Sequence, residues 1–123
     1  MLDRLDSIST VRIGGIDYEI VLDDDLLKVQ NLLGSIDLAS CEIRVDATLP
    51  PQSIDSTILH EAVHGILSQS GHDSEDDAKD EALVTALAHG LQAFLRDNVE
   101  FVCGIIGVQL SNNPDGRIPE DAA

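Results

Sequence analysis

Residues 52–70 read Gln52-Ser-Ile-Asp-Ser-Thr-Ile-Leu-His60-Glu-Ala-Val-His-Gly-Ile-Leu-Ser-Gln-Ser70, and their periodicity decides the fold. Ile54, Ile58, Leu59, Ala62, Val63, Ile66 and Leu67 fall on one broad arc at about 100° per residue, as in a helix that buries one face. Pro51 suits the first turn of that helix. Ser70-Gly71-His72 stops it, with Gly71 at C′.

Upstream the period changes to two. In residues 8–22, Val11 and Ile13, then Ile16, Tyr18 and Ile20, alternate with polar residues around Gly14-Gly15. That pattern predicts a hairpin with a two-residue primed turn. Asp23-Asp24-Asp25 ends the second strand, and a short helix or loop follows over about 26–33. A second hairpin is predicted over 34–47, with Ile36 and Leu38 in one arm and Ile43 and Val45 in the other.

Downstream, the acidic run Asp73-Ser-Glu-Asp-Asp77 supplies an N-cap and first-turn carboxylates for a second helix over about 74–97. It lacks the spaced ligands of a calcium loop. The short connection predicts that the two helices lie antiparallel and in contact. Val99 to Leu110 is apolar and suggests a third helix, and residues 111–123 read as a flexible tail. The expected fold is α+β in a single domain, 1–123. A small antiparallel sheet of three or four strands packs on a helical unit, and the helix pair forms its working surface.

Within the first helix lies His60-Glu61-Ala62-Val63-His64, an H-E-x-x-H motif. Residues four apart on a helix project from one face, so two imidazoles can grip one zinc ion. Glu61, one position on, is placed to take a proton from activated water. An open catalytic zinc site takes a third protein ligand. Leu67 and Ser70 stand where the long metzincin form of the motif needs Gly and His, which sends the search to the second helix. At 1.5 Å per residue, His64 and His60 stand about 9 and 15 Å before the turn, and Asp80 and Glu81 match those heights. Helical phase, taken opposite the polar stripe Thr85, His89, Gln92 and Arg96, favours Asp80. Side-chain reach favours Glu81.

The segments Thr57-Ile-Leu-His-Glu-Ala-Val-His-Gly-Ile-Leu67 and Asp80-Glu-Ala-Leu-Val-Thr-Ala-Leu-Ala-His-Gly-Leu91 together resemble the small phage and prophage zincins. These are compact metallopeptidases related to the ImmA/IrrE group. The resemblance spans about residues 34–98. It implies Zn2+ held by His60, His64 and Glu81, with Glu61 as general base, a peptide or protein substrate, and a place in the cytoplasm, the host's if the chain is phage-encoded. No DNA-reading segment accompanies the motif in these residues, so a transcription-factor role is not carried over.

Composition narrows the alternatives. Twenty-three acidic residues against seven basic ones give a net charge of −16, a field that repels nucleic-acid phosphates. Tyr18, Phe94 and Phe101 are the only aromatics, too few to form a base-stacking platform. No apolar run approaches the roughly 20 residues of a membrane span. The first residues lack the basic and apolar regions of an export signal, so Cys41 and Cys103 are expected to be reduced thiols. His72 reads as a turn residue, His89 as a surface residue and Tyr18 as cross-strand packing. Two rivals to the hydrolase stay open: a zinc-binding interaction module without catalysis, and an acidic binding protein without metal.

Overall fold

The computed structural model describes residues 9–72 and 77–108. In chain order they form β1 (Thr10–Ile13), β2 (Ile16–Asp23), α1 (Leu26–Gln30), β3 (Gly34–Asp37), β4 (Glu42–Asp46), α2 (Pro51–Gln69), α3 (Asp77–Asp97) and α4 (Val99–Ile106). The fold is α+β. The expected helix-capping run at 73–76 and the tail at 111–123 lie outside the described residues. Two compact units divide the chain, one ending at His89 and the other beginning at Gly90.

Both hairpins form where alternation predicts them. β1 and β2 pair antiparallel, Val11 opposite Tyr18 and Ile13 opposite Ile16. Gly14 and Gly15 take φ of 57° and 86°, which is the positive-φ pair that a type I′ turn requires. β3 and β4 pair antiparallel with Ile36 opposite Ile43.

The sheet as a whole is mixed rather than antiparallel. Its order is β1-β2-β4-β3, and β2 runs parallel to β4 from Glu19–Glu42 to Asp23–Asp46. The cause is the path between the hairpins. After β2, α1 carries the chain past one strand's width, β3 runs back along the outer edge, and β4 returns through the gap between them. Asp46 holds this path in place. Its Oδ2 accepts the Leu27 N–H at 2.7 Å, its own N–H donates to Leu33 O at 2.9 Å, and the Ala47 N–H donates to Asp23 O at 3.0 Å. Arg44 bridges the parallel pair, with Nη1 at 3.1 Å from Asp23 and Nε at 2.8 Å from Glu42.

One face of the sheet packs on α2. Ile13, Tyr18, Ile43 and Val45 bury against Ile54 and Ile58, each side chain contributing about 1.5–3 kcal/mol relative to exposure. The helix packs tightly at Gly65, where an added Cβ would come within 3.0 Å of Ile36 Cδ1 and 3.2 Å of Ile13 Cδ1. Gln69, in the last turn of α2, donates to Ile13 O at 3.0 Å and Tyr18 Oη at 3.3 Å. Past it, Gly71 N–H bonds Ser68 O and His72 N–H bonds Leu67 O, the paired contacts of a Schellman stop. α2 and α3 share a second, smaller core of Val63, Val84 and Ala88, with Leu67 against it.

The unit that begins at Gly90 holds the end of α3 and all of α4. Asn98 breaks the helix between them, and its Nδ2 bonds Phe94 O at 2.9 Å. Cys41 and Cys103 are free thiols. Among the described residues, no helix is long and apolar enough to cross a membrane.

Candidate metal centre

The site is built where α2 meets the beginning of α3. His60 and His64 project from the same side of α2, their rings edge to face with centroids 5.1 Å apart. Both imidazoles are partly covered, with side chains 21% and 27% exposed. From α3, Glu81 reaches both: Oε1 lies 2.5 Å from His60 Nε2, and Oε2 lies 2.9 Å from His64 Nε2. An ionised carboxylate only accepts, so without a cation each of these Nε2 atoms carries the proton and donates.

The second core explains why Glu81 and not Asp80 arrives there. Val84 and Ala88 mark the packed face of α3. At 3.6 residues per turn, Glu81 lies about 40° from the centre of that face and Asp80 about 60° away on the other side. Asp80 is half-buried with interactions of its own, and it is not one of the three converging groups.

The donor set fits zinc. Two imidazole nitrogens and a carboxylate are the three-ligand pattern of an open catalytic site. One ligand atom from each of His60, His64 and Glu81 lies within 4.8 Å of the others. Tetrahedral zinc sets its donors about 3.3 Å apart, so adjustments on the order of 1 Å would bring the three into register.

Glu61 is buried beside this group, 7% exposed. Burial raises its carboxyl above the usual carboxylate range, the imidazoles of His64 and His60 oppose that, and the Glu81 carboxylate adds to it. A groove of about 300 Å3 opens beside it, lined by Ser35, Ile36, Leu38, Glu61, His64 and Ser68. Its far wall is β3, an edge strand of the sheet.

One contributor escapes sequence reading. Gly34 lets β3 approach α2 under Glu61: a Cβ there would stand 2.4 Å from Thr57 Cγ2, 3.2 Å from Arg44 O and 3.4 Å from Glu61 Cγ. A glycine inside a strand is the available signal for such a close approach. The remaining candidates lie elsewhere. Tyr18 is in the sheet core, and His72 and His89 are exposed and outside the converging group. Comparison with protein-family models, curated proteins and solved structures finds no match to this chain.

Proposed function

We propose that the protein is a zinc-dependent peptidase of minimal zincin type, in line with the resemblance carried by its H-E-x-x-H segment. The reading rests on one observation above all: Glu81 of α3 meets both motif imidazoles of α2 at 2.5 and 2.9 Å. His60, His64 and Glu81 would hold the metal. When bound, zinc supplies Lewis acidity, polarising a scissile carbonyl and lowering the pKa of water from 15.7 towards about 7.

The chain's own residues do the rest. Glu61 takes the proton of the attacking water on a carboxylate oxygen and hands it to the leaving amine as the C–N bond breaks. Its burial favours holding a proton between those two transfers. β3 offers an edge along which an extended peptide can align its backbone. Ile36 and Leu38 give the groove an apolar wall for one side chain.

The test is metal content by mass spectrometry together with cleavage of a mixed peptide library. Wild type should carry about one zinc per chain and cleave, and Glu61→Gln should carry zinc and not cleave. Zinc in both with cleavage by neither makes the domain a zinc-binding interaction module. No zinc in either reduces the trio to an ion pair joining two helices and leaves the acidic, metal-free binding protein.

A further inference from the structure

The described part of the second unit, residues 90–108, contains no buried residue. Yet α4 reads Val99-Glu-Phe-Val-Cys-Gly-Ile-Ile106, with Glu100 its single charged side chain. Leu91 and Phe94 lie one turn apart on α3, and Phe101 and Ile105 one turn apart on α4. The rings of Phe94 and Phe101 meet edge to face, centroids 6.1 Å apart, which joins the four into one apolar stripe. Phe101 is 57% exposed and Ile105 67%.

Area and charge together select the occupant. At about 150–200 Å2 for a fully exposed side chain of this size, Leu91, Phe94, Phe101 and Ile105, which are 40, 47, 57 and 67% exposed, present about 300–400 Å2 of apolar surface. A patch of that size is on the scale of the largest on a typical monomer, roughly 300–600 Å2 and often functional, and at the roughly 60% apolar share of an interface it belongs to a contact of about 600 Å2 per partner, the lower end of specific interfaces. In a two-fold contact a surface meets its own copy, so every charge on it faces a like charge nearby. The chain carries −16, but residues 90–108 contribute only Arg96, Asp97 and Glu100, one cation against two anions, a net −1. Arg96 and Asp97 already pair at 3.1 Å. Residues 90–108 therefore carry almost none of the acidic excess. A lipid surface fits less well, because helices that lie on membranes carry Lys and Arg along their polar face.

We propose that α4 and the adjoining end of α3 form a two-fold self-association surface, and that the protein is a homodimer through Leu91, Phe94, Phe101 and Ile105. Sedimentation velocity on the full chain tests it. The expected species has twice the 13.2 kDa mass of the chain at micromolar concentration. Its affinity should tighten as NaCl rises from about 20 to about 500 mM, because salt screens the repulsion between acidic copies and leaves apolar contact in place. Ile105→Glu and Phe101→Ser should each weaken it at least about tenfold, with circular dichroism unchanged. A chain that stays monomeric up to about 200 μM overturns the proposal, as does a dimer indifferent to both substitutions. Hydrogen exchange on a monomer then separates the other occupants. Protection of α4 without additions points to the chain's own residues 109–123, and protection only with phosphatidylglycerol vesicles points to a lipid surface.

Discussion

Glu61 sits in surroundings that oppose its ionised form and, on the proposed reading, suit a general base. Burial raises its carboxyl pKa, so the folded state holds the proton more tightly than the unfolded chain does. A raised carboxyl pKa means that stability is lost as pH rises through the carboxylate range. Metal-free Glu61→Gln should therefore melt higher than metal-free wild type at pH 7, while peptide cleavage falls by about 10²–10⁴-fold. Calorimetry and a peptide assay on the same preparation check both halves. A lower melting point for the variant would mean that the carboxylate contributes bonds that outweigh its desolvation. The proposed metal ligands behave differently. His64→Ala and Glu81→Ala should lose most of their zinc and Asp80→Ala should keep it, as read by metal analysis. The two imidazoles were legible in the sequence because i, i+4 spacing is local. The choice between Asp80 and Glu81 was not. Taking the packed face of α3 as the one opposite its polar stripe selects Asp80, but that face carries Leu83 and Leu87, which are 49% and 45% exposed. The face that packs is the one bearing Val84 and Ala88, and it brings Glu81 with it.

At the scale of elements, what could be read was whatever local pattern dictates: both hairpins, the extent of α2 and its stop at Gly71. The parallel pairing of β2 with β4 could not be read. Alternation in residues 34–47 is satisfied equally whether β3 or β4 lies beside β2. The decision rests on contacts between residues far apart in sequence, such as those of Asp46 with Leu27 and Leu33. Asp46 is 1% exposed and accepts from the Thr48 hydroxyl, from Leu27 N–H at 2.7 Å and from Thr48 N–H at 2.8 Å. The Thr48 hydroxyl first, then the Leu27 N–H, hold its carboxyl below the usual carboxylate range. A depressed carboxyl pKa adds stability that is fully present above the unfolded value of about 3.9 and is lost as pH falls from there through the lower folded value. Asp37, held low by the N–H groups of Ser40 and Ala39, titrates in the same window. The melting temperature should thus drop as pH falls from about 5 to below about 4. Asp46→Asn should melt about 4–8 °C lower at pH 7 and show a shallower, though not flat, acid limb. A variant whose acid limb matches wild type would remove Asp46 from this role. Gly34 answers to a steric test instead. Gly34→Ala should destabilise by about 1–3 kcal/mol through the crowding of Thr57. Adding Thr57→Ser, which deletes the methyl at 2.4 Å, should recover part of that loss in denaturant titrations.

For the whole molecule a net charge of −16 opposes the folded state and ion pairs favour it. Among the described residues the Arg–carboxylate pairs are Arg12–Asp17, Arg44–Asp23, Arg44–Glu42 and Arg96–Asp97. Exposed pairs of this kind contribute about 0–1 kcal/mol each and weaken with salt. The repulsion among 23 acidic groups also weakens with salt, but with the opposite effect on stability. The range of the interactions decides which wins. At about 0.01 M salt the Debye length is about 30 Å, so each carboxylate feels many others; at 0.1 M it is about 10 Å and only neighbours count. The ion pairs, at about 3 Å, are little changed over that interval, whereas the summed long-range repulsion largely disappears. The melting temperature should therefore rise between about 0.01 and 0.2 M NaCl. Asp24→Asn, which removes one charge from the run Asp23-Asp24-Asp25, should melt higher than wild type at the low end and converge with it at the high end. Measured at a protein concentration low enough to keep the chain monomeric, this separates self-repulsion from association. A melting temperature that falls with salt would place the balance in the four pairs instead.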